Sequence, residues 1–137
     1  SDLAWIESLR QELPRLVWQS AGICRQGGGM AAAIDQLQTW QMEFDRLALT
    51  QVLQSLQPPE SLVLSEHSEE SHLRLWAETR NLLTIATLIL QSAQFRTESR
   101  GGHYRLDYPE TDPTWRVHTL VQGDRWWQSP VREGREE

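Results

Sequence analysis

The stretch from Glu69 to Arg96 constrains this chain more than any other part of it. Leu73, Trp76, Leu83, Ile85, Ala86, Leu88, Ile89, Leu90, Ala93 and Phe95 fall at helical spacings and cover more than a single stripe. A helix apolar around most of its circumference has to be surrounded by other elements. The sequence therefore predicts a bundle with this helix at its centre, buried on more than one face, with Leu83 and Ile89 in the core. A helix of this length measures roughly 42 Å at ~1.5 Å per residue, enough for a spine. Ser68, Glu69, Glu70 and Ser71 supply N-capping oxygens and first-turn negative charge, and Gly101-Gly102 stops the helix.

Shorter helices flank the spine. Leu3, Ile6, Leu9, Leu13, Leu16 and Val17 line one helix face, but Pro14 predicts a break near Gln11 to Leu13 and a second helix running towards Gly22. Gly27-Gly28-Gly29 reads as a flexible helix-helix turn. A phosphate-cradling loop would need a following Lys-Ser/Thr pair and a preceding hydrophobic strand, and neither is there. Helical periodicity resumes at Met30 and continues through Ile34, Leu37, Trp40, Met42, Phe44, Leu47 and Leu49, prolonged by Val52, Leu53 and Leu56. Pro58-Pro59 ends it, and the acidic stretch from Glu60 to Glu70 reads as a surface connection. Beyond Gly102, Pro109, Pro113 and Pro130 and the lack of sustained alternation predict an irregular arm, then a frayed acidic end at Glu133 to Glu137. Trp115, Trp126 and Trp127 imply that this arm packs against something through Trp127. The expected fold is all-α: a helical bundle of about three main helices, one of them long and central, with an irregular C-terminal arm. Residues 1–122 form the bundle domain and 123–137 the tail.

Composition excludes several function classes. With 137 residues and a net charge of −6, the chain is one domain, and it lacks the basic stripe that duplex nucleic acid requires. All 13 basic residues are Arg, whose rigid fork suits paired, partly buried carboxylates. Cys24 is the single cysteine, so no internal disulfide forms, and with no catalytic signature around it the residue is expected in the core. No apolar run reaches the ~18 residues of a membrane span and no signal peptide opens the chain, which predicts a cytoplasmic protein. The helix begins without preamble at Ser1-Asp2-Leu3, as expected of a domain excised from a longer polypeptide.

Chemistry-bearing residues concentrate between Arg96 and Arg116, where four arginines (96, 100, 105, 116) face four carboxylates (98, 107, 110, 112). Three catalytic readings compete with a structural one. His103, Asp107 and Glu110 have the donor types of a metal site, but nothing makes them converge. Ser99, His103 and Asp107 have the residue types of a hydrolase triad, without the strand-turn-helix elbow around the serine. Glu98 and Asp107 form a carboxylate pair, although adjacent arginines keep both ionised. The structural reading is an ion-paired loop that fixes the end of the long helix and docks the domain onto a neighbour.

The run Arg96-x-Glu98-Ser99-Arg100-Gly101-x-His103, continued by Arg105, Asp107, Tyr108 and Pro109, resembles the C-terminal motif of the succinate dehydrogenase, fumarate reductase and L-aspartate oxidase flavoproteins. Asp112, Trp115 and His118-Thr119-Leu120 extend the likeness. The segment from Leu16 to Arg25, with Trp18 and then Gly22-Ile23-Cys24-Arg25, looks like a second family motif upstream. The resemblance spans most of residues 10–122. It implies that Arg96, Glu98, Ser99, Arg100, His103, Arg105, Asp107, Asp112, Trp115 and His118 form a structural and interdomain motif. It implies no catalytic, cofactor-binding or metal residue in this chain, because the family binds FAD and its dicarboxylate substrate on a flavin-binding and a capping domain that lie outside it. Those domains would be its partners. Tyr104 and Tyr108, and a chain that runs out by Glu137, look closer to L-aspartate oxidases than to dehydrogenase flavoproteins. The parent enzyme would then oxidise L-aspartate to iminoaspartate, which quinolinate synthase uses in NAD biosynthesis. The alternatives are a succinate dehydrogenase or fumarate reductase flavoprotein subunit, or a free-standing helical interaction module.

Overall fold

The computed structural model describes residues 1–61, 63 and 67–131, without the side chains of residues 67–69. Four helices follow in order: α1 (Asp2–Ala21), α2 (Gly27–Asp45), α3 (Ala48–Ser55) and α4 (His67–Phe95). A short 3-10 turn (Pro113–Trp115) and an antiparallel hairpin of β1 (Val117–Gln122) and β2 (Arg125–Pro130) complete the chain.

The long helix is the spine that the sequence predicts, and α1 and α2 both lie against it. Ile6, Leu9 and Leu13 from α1, Met30, Leu37 and Phe44 from α2, and Trp76, Leu83 and Leu90 from α4 form one core. Each such large side chain contributes roughly 1.5–3 kcal/mol by leaving water. Phe44 lies between Trp5 and Trp76, and the Trp76 indole donates to the buried Thr50 hydroxyl at 2.7 Å, tying α3 to the spine.

Several local expectations are corrected. Pro14 does not break the first helix, which runs unbroken from Asp2 to Ala21. A proline inside a helix costs ~3 kcal/mol, less than burying Ile6, Leu9 and Leu13 on the same continuous face returns at ~1.5–3 kcal/mol each. The three glycines are the first turn of α2, not a connecting turn. The periodic run from Met30 to Leu56 divides at Arg46-Leu47, where the Asp2 carboxylate accepts from the Ala48 amide (3.1 Å) and so closes the start of α3. Cys24 is exposed, because α1 has ended and the chain turns outward there. The arm is not wholly irregular: Val117 to Gln122 pair with Pro130 to Arg125 about the two-residue turn Gly123-Asp124. Gly123 takes φ +62, which a residue with a Cβ adopts only at a cost.

The spine itself is less enclosed than its sequence predicts. Leu83 and Leu90 are fully buried, but Ile85, Leu88 and Ile89 are 52%, 41% and 43% exposed. With α1 and α2 against it, α4 keeps an apolar side that no described element covers. The helix starts at His67, so residues 67–70 of the expected connection belong to α4, while the side chains assigned a capping role at 68 and 69, residues 62 and 64–66 of the connection and the end at Glu133 to Glu137 lie outside the described residues. None of the described helices is long and apolar enough to cross a membrane.

Candidate functional site

The arginine-rich loop is organised around the C-terminal end of α4. Carbonyls in the last turn of a helix lack intrahelical donors and carry the negative end of its dipole. Arg105, 3% exposed, meets them: its Nη1 donates to the carbonyls of Ala93, Gln94 and Arg96 at 3.3, 2.8 and 3.0 Å. Its other edge grips Asp107 as a fork, with Nε to Oδ1 at 2.9 Å and Nη2 to Oδ2 at 2.6 Å. Asp107 Oδ2 in turn accepts from the Gly27 amide at 3.0 Å, in the first turn of α2. The negative end of one helix is thus joined through a cation and an anion to the positive end of another. A Cβ on Gly27 would lie 2.7 Å from that carboxylate oxygen, so any larger residue there would push Asp107 off its bond to the amide. The Arg105 fork, above all, and the Gly27 amide hold the Asp107 carboxyl down from 3.8 to about 2.

Glu98 anchors a second ionic cluster and is completely buried. Arg100 forks onto it, Nε to Oε1 at 2.9 Å and Nη2 to Oε2 at 3.1 Å, Arg96 Nη1 lies 3.2 Å from Oε1, and the Asp112 amide donates to Oε2 at 2.9 Å. Burial pushes the Glu98 carboxyl upward, but the hydrogen bonds and charges of its partners outweigh this, and it stays below the ordinary carboxylate range. Arg96 also donates to the carbonyls of Trp115 and Val117 (2.9 to 3.1 Å) and lies over the Trp115 ring, which packs edge-on against Phe95. Asp112 caps the 3-10 turn by accepting from the Thr114 amide and hydroxyl (2.8 and 2.7 Å), which lowers its own carboxyl.

Ser99 and His103 lie inside this framework. The Ser99 hydroxyl donates to the Tyr108 carbonyl (2.7 Å) and accepts from the Arg105 amide (2.9 Å). Arg100 and His103 exchange backbone hydrogen bonds across a turn whose Gly101 takes φ +57. His103 Nδ1 faces Arg25 Nη1 at 2.6 Å and Nε2 faces the Arg96 carbonyl at 3.2 Å. Those partners assign a neutral ring protonated on Nε2, accepting from Arg25. Burial, first, and the charges of Arg25, Arg105 and Arg96 press its pKa below 6.5, against the pull of the Arg96 carbonyl.

Nine of the ten motif residues meet in one place: Arg96, Glu98, Ser99, Arg100, His103, Arg105, Asp107, Asp112 and Trp115. His118 stands apart, exposed on β1. The catalytic readings find no matching geometry. Ser99 bonds to backbone instead of His103, both His103 nitrogens and the Asp107 carboxylate are engaged elsewhere, and no three His, Cys, Asp or Glu side chains among the described residues converge as metal ligands. Two participants were missed in the sequence, Arg25 and Gly27. Arg25 bridges to Arg105 through Arg25 N to Tyr104 O (3.0 Å) and Leu106 N to Arg25 O (2.8 Å), and its guanidinium also caps α1 at the Ala21 carbonyl. Its place at the end of the upstream motif was the available signal.

Residues 10–133 match the family model described as the fumarate reductase flavoprotein C-terminus. The chain belongs to that family. It is 57% identical over 123 residues to the L-aspartate oxidase of a Nostoc species, covering 90% of this chain and 21% of that protein. It is 48% identical over 130 residues to the L-aspartate oxidase of a Synechocystis species, covering 95% of this chain and 24% of the relative. Among solved structures, Mycobacterium smegmatis Sdh1 in complex with UQ1 matches with a TM-score of 0.69 and 25% identity, over 93% of this chain and 20% of that one. The domain therefore spans about a fifth to a quarter of the length of these relatives. In this C-terminal flavoprotein domain the glycine-rich helix start does not fit a flavin pyrophosphate, because the Asp107 carboxylate already occupies the Gly27 amide.

Proposed function

We propose that this chain is the C-terminal helical domain of an FAD-dependent L-aspartate oxidase. Its own contribution is structural, and it does not turn over substrate alone. The observation that carries the reading is the 57% identity to the Nostoc L-aspartate oxidase across 90% of the chain. The geometry supports a scaffold: Arg96, Glu98, Arg100, His103, Arg105 and Asp107 each bond to another residue of the loop, to Arg25 or to a helix end. Flavin-binding and capping domains outside this chain hold FAD and the dicarboxylate. The bundle fixes how those domains sit, which governs whether the reacting carbon stays in reach of the flavin. FAD takes the two electrons removed from L-aspartate, and oxygen or fumarate reoxidises it. The iminoaspartate formed passes to quinolinate synthase in de novo NAD biosynthesis, in the cytoplasm.

The test uses the full-length protein, supplied in parallel with L-aspartate and with succinate. L-aspartate-dependent release of hydrogen peroxide, or reduction of fumarate by L-aspartate, is the expected result. Oxidation of succinate with no turnover of L-aspartate would replace the reading by a succinate dehydrogenase or fumarate reductase subunit. The 137-residue chain alone should be colourless after gel filtration, without the flavin band near ~450 nm.

A further inference from the structure

Along the outer side of α1 and α4 runs a continuous apolar groove. One part lies between Leu13, Val17, Leu82 and Ile89, and the next between Val17, Trp18 and Ile23, so that Pro14 and Val17 border both. Trp18 is 67%, Ile23 74% and Ile85 52% exposed, and the lining of the α1/α4 part offers almost no polar atom. A second depression, on the α2 side of α4, mixes the apolar Leu37, Met42 and Leu88 with the polar Gln38, Gln41, Gln91, Thr84 and Thr87. The two surfaces therefore differ in what they ask for. Large contiguous apolar patches on a folded domain mark places that another surface covers. Pro14 adds the carbons of its ring to the lining of both parts.

We infer that the α1/α4 groove, and not the α2 side, is where the flavin-carrying remainder of the same polypeptide seats an aliphatic and aromatic ridge. This rests on reading the chain as one domain of a larger flavoprotein. The occupant is argued from length: the domain superposes over 93% of itself on a solved chain of which it is 20%, so in such a protein most of the polypeptide lies outside the bundle and is the nearest surface available to cover it. The exposure of Ile85 and Ile89 on the spine, unexplained by the bundle alone, then has its cause.

The experiment is thiol labelling of the full-length enzyme carrying Ile85→Cys or Ile89→Cys, against Met42→Cys on the α2 side, with maleimide and peptide-resolved mass spectrometry. Met42 is 55% exposed in the bundle, comparable with Ile85 at 52%. The expected result is that both groove thiols react at least ~tenfold more slowly than the one at 42, at every protein concentration. Equal rates would overturn the inference, as would protection that disappears on dilution, because a second copy would then be the occupant. Hydroxyl-radical footprinting of unsubstituted Trp18, Ile85 and Met42 gives the same comparison if a variant does not fold. A protected groove in an enzyme that oxidises succinate sinks the substrate assignment alone, and an exposed groove in an enzyme that oxidises L-aspartate sinks this inference alone.

Discussion

Glu98 is a buried anion between two arginines, and such a group is costly to neutralise because its partners are left uncompensated. Glu98→Gln, which keeps the shape, should destabilise the chain by ~3–5 kcal/mol in urea unfolding; a loss below ~1 kcal/mol would show that Arg96 and Arg100 find other partners. The pH dependence follows from the displaced titrations. His103 in the unfolded chain takes up a proton near 6.5 but resists it when folded, so its contribution to stability is present above 6.5 and is lost as pH falls through its lower folded pKa. Asp107 releases its proton more readily when folded, so its contribution is complete above 3.8 and is lost as pH falls to about 2. His103→Gln should flatten the stability profile just below pH 6.5, and Asp107→Asn only the acid limb; unchanged profiles would contradict both assignments. The sequence showed most of the residues that form this network, though not Arg25 and Gly27, and it did not show who pairs with whom. It offered Arg100 both Glu98 and Asp107, and the choice depends on Gly27, eighty positions away in the chain, which draws Asp107 to the start of α2.

At the scale of elements, the spine was legible because ten apolar residues at helical spacings admit few alternatives. Its open side was not, since periodicity reports a residue's hydrophobicity and not whether the partner belongs to the same domain. Leu83→Ala should cost ~2–4 kcal/mol in this chain and Ile89→Ala less than ~1 kcal/mol, by thermal or urea denaturation. A large loss at Ile89 would mean that the bundle covers it by itself. Pro14 misled because a local penalty of ~3 kcal/mol was not weighed against the tertiary burial of an entire helix face. The hairpin escaped because each strand has only six residues and the consecutive Leu120 and Val121, both exposed on opposite faces, break the alternation of apolar and polar positions. The turn pair Gly123-Asp124 was the signal that could have revealed it. Trp126 anchors that hairpin on Phe95, at a ring separation of 6.1 Å, so two of the arm's three tryptophans, Trp115 and Trp126, pack on the end of the spine, while Trp127 lies under Arg125 of its own strand.

For the whole molecule, ionic and apolar features divide the work. The Arg-carboxylate framework locks the ends of α1, α2 and α4 to the loop and to the start of the hairpin, and the exposed apolar groove remains for what lies outside the chain. The motif that carries the family resemblance lies in the first of these, which is why identity could be read from sequence while the docking face could not. The most direct test of the scaffold role is Arg100→Ala in the full-length enzyme, with flavin content, yield of folded protein and steady-state kinetics measured on one preparation. Arg100 touches Glu98 and the Asp112 carbonyl, so the variant should lose flavin or folded yield, while the flavin-loaded molecules keep a near-normal KM and turnover with L-aspartate. A variant that is fully folded and flavin-loaded, yet slowed more than ~100-fold in turnover, would place Arg100 in the reaction chemistry and contradict the account.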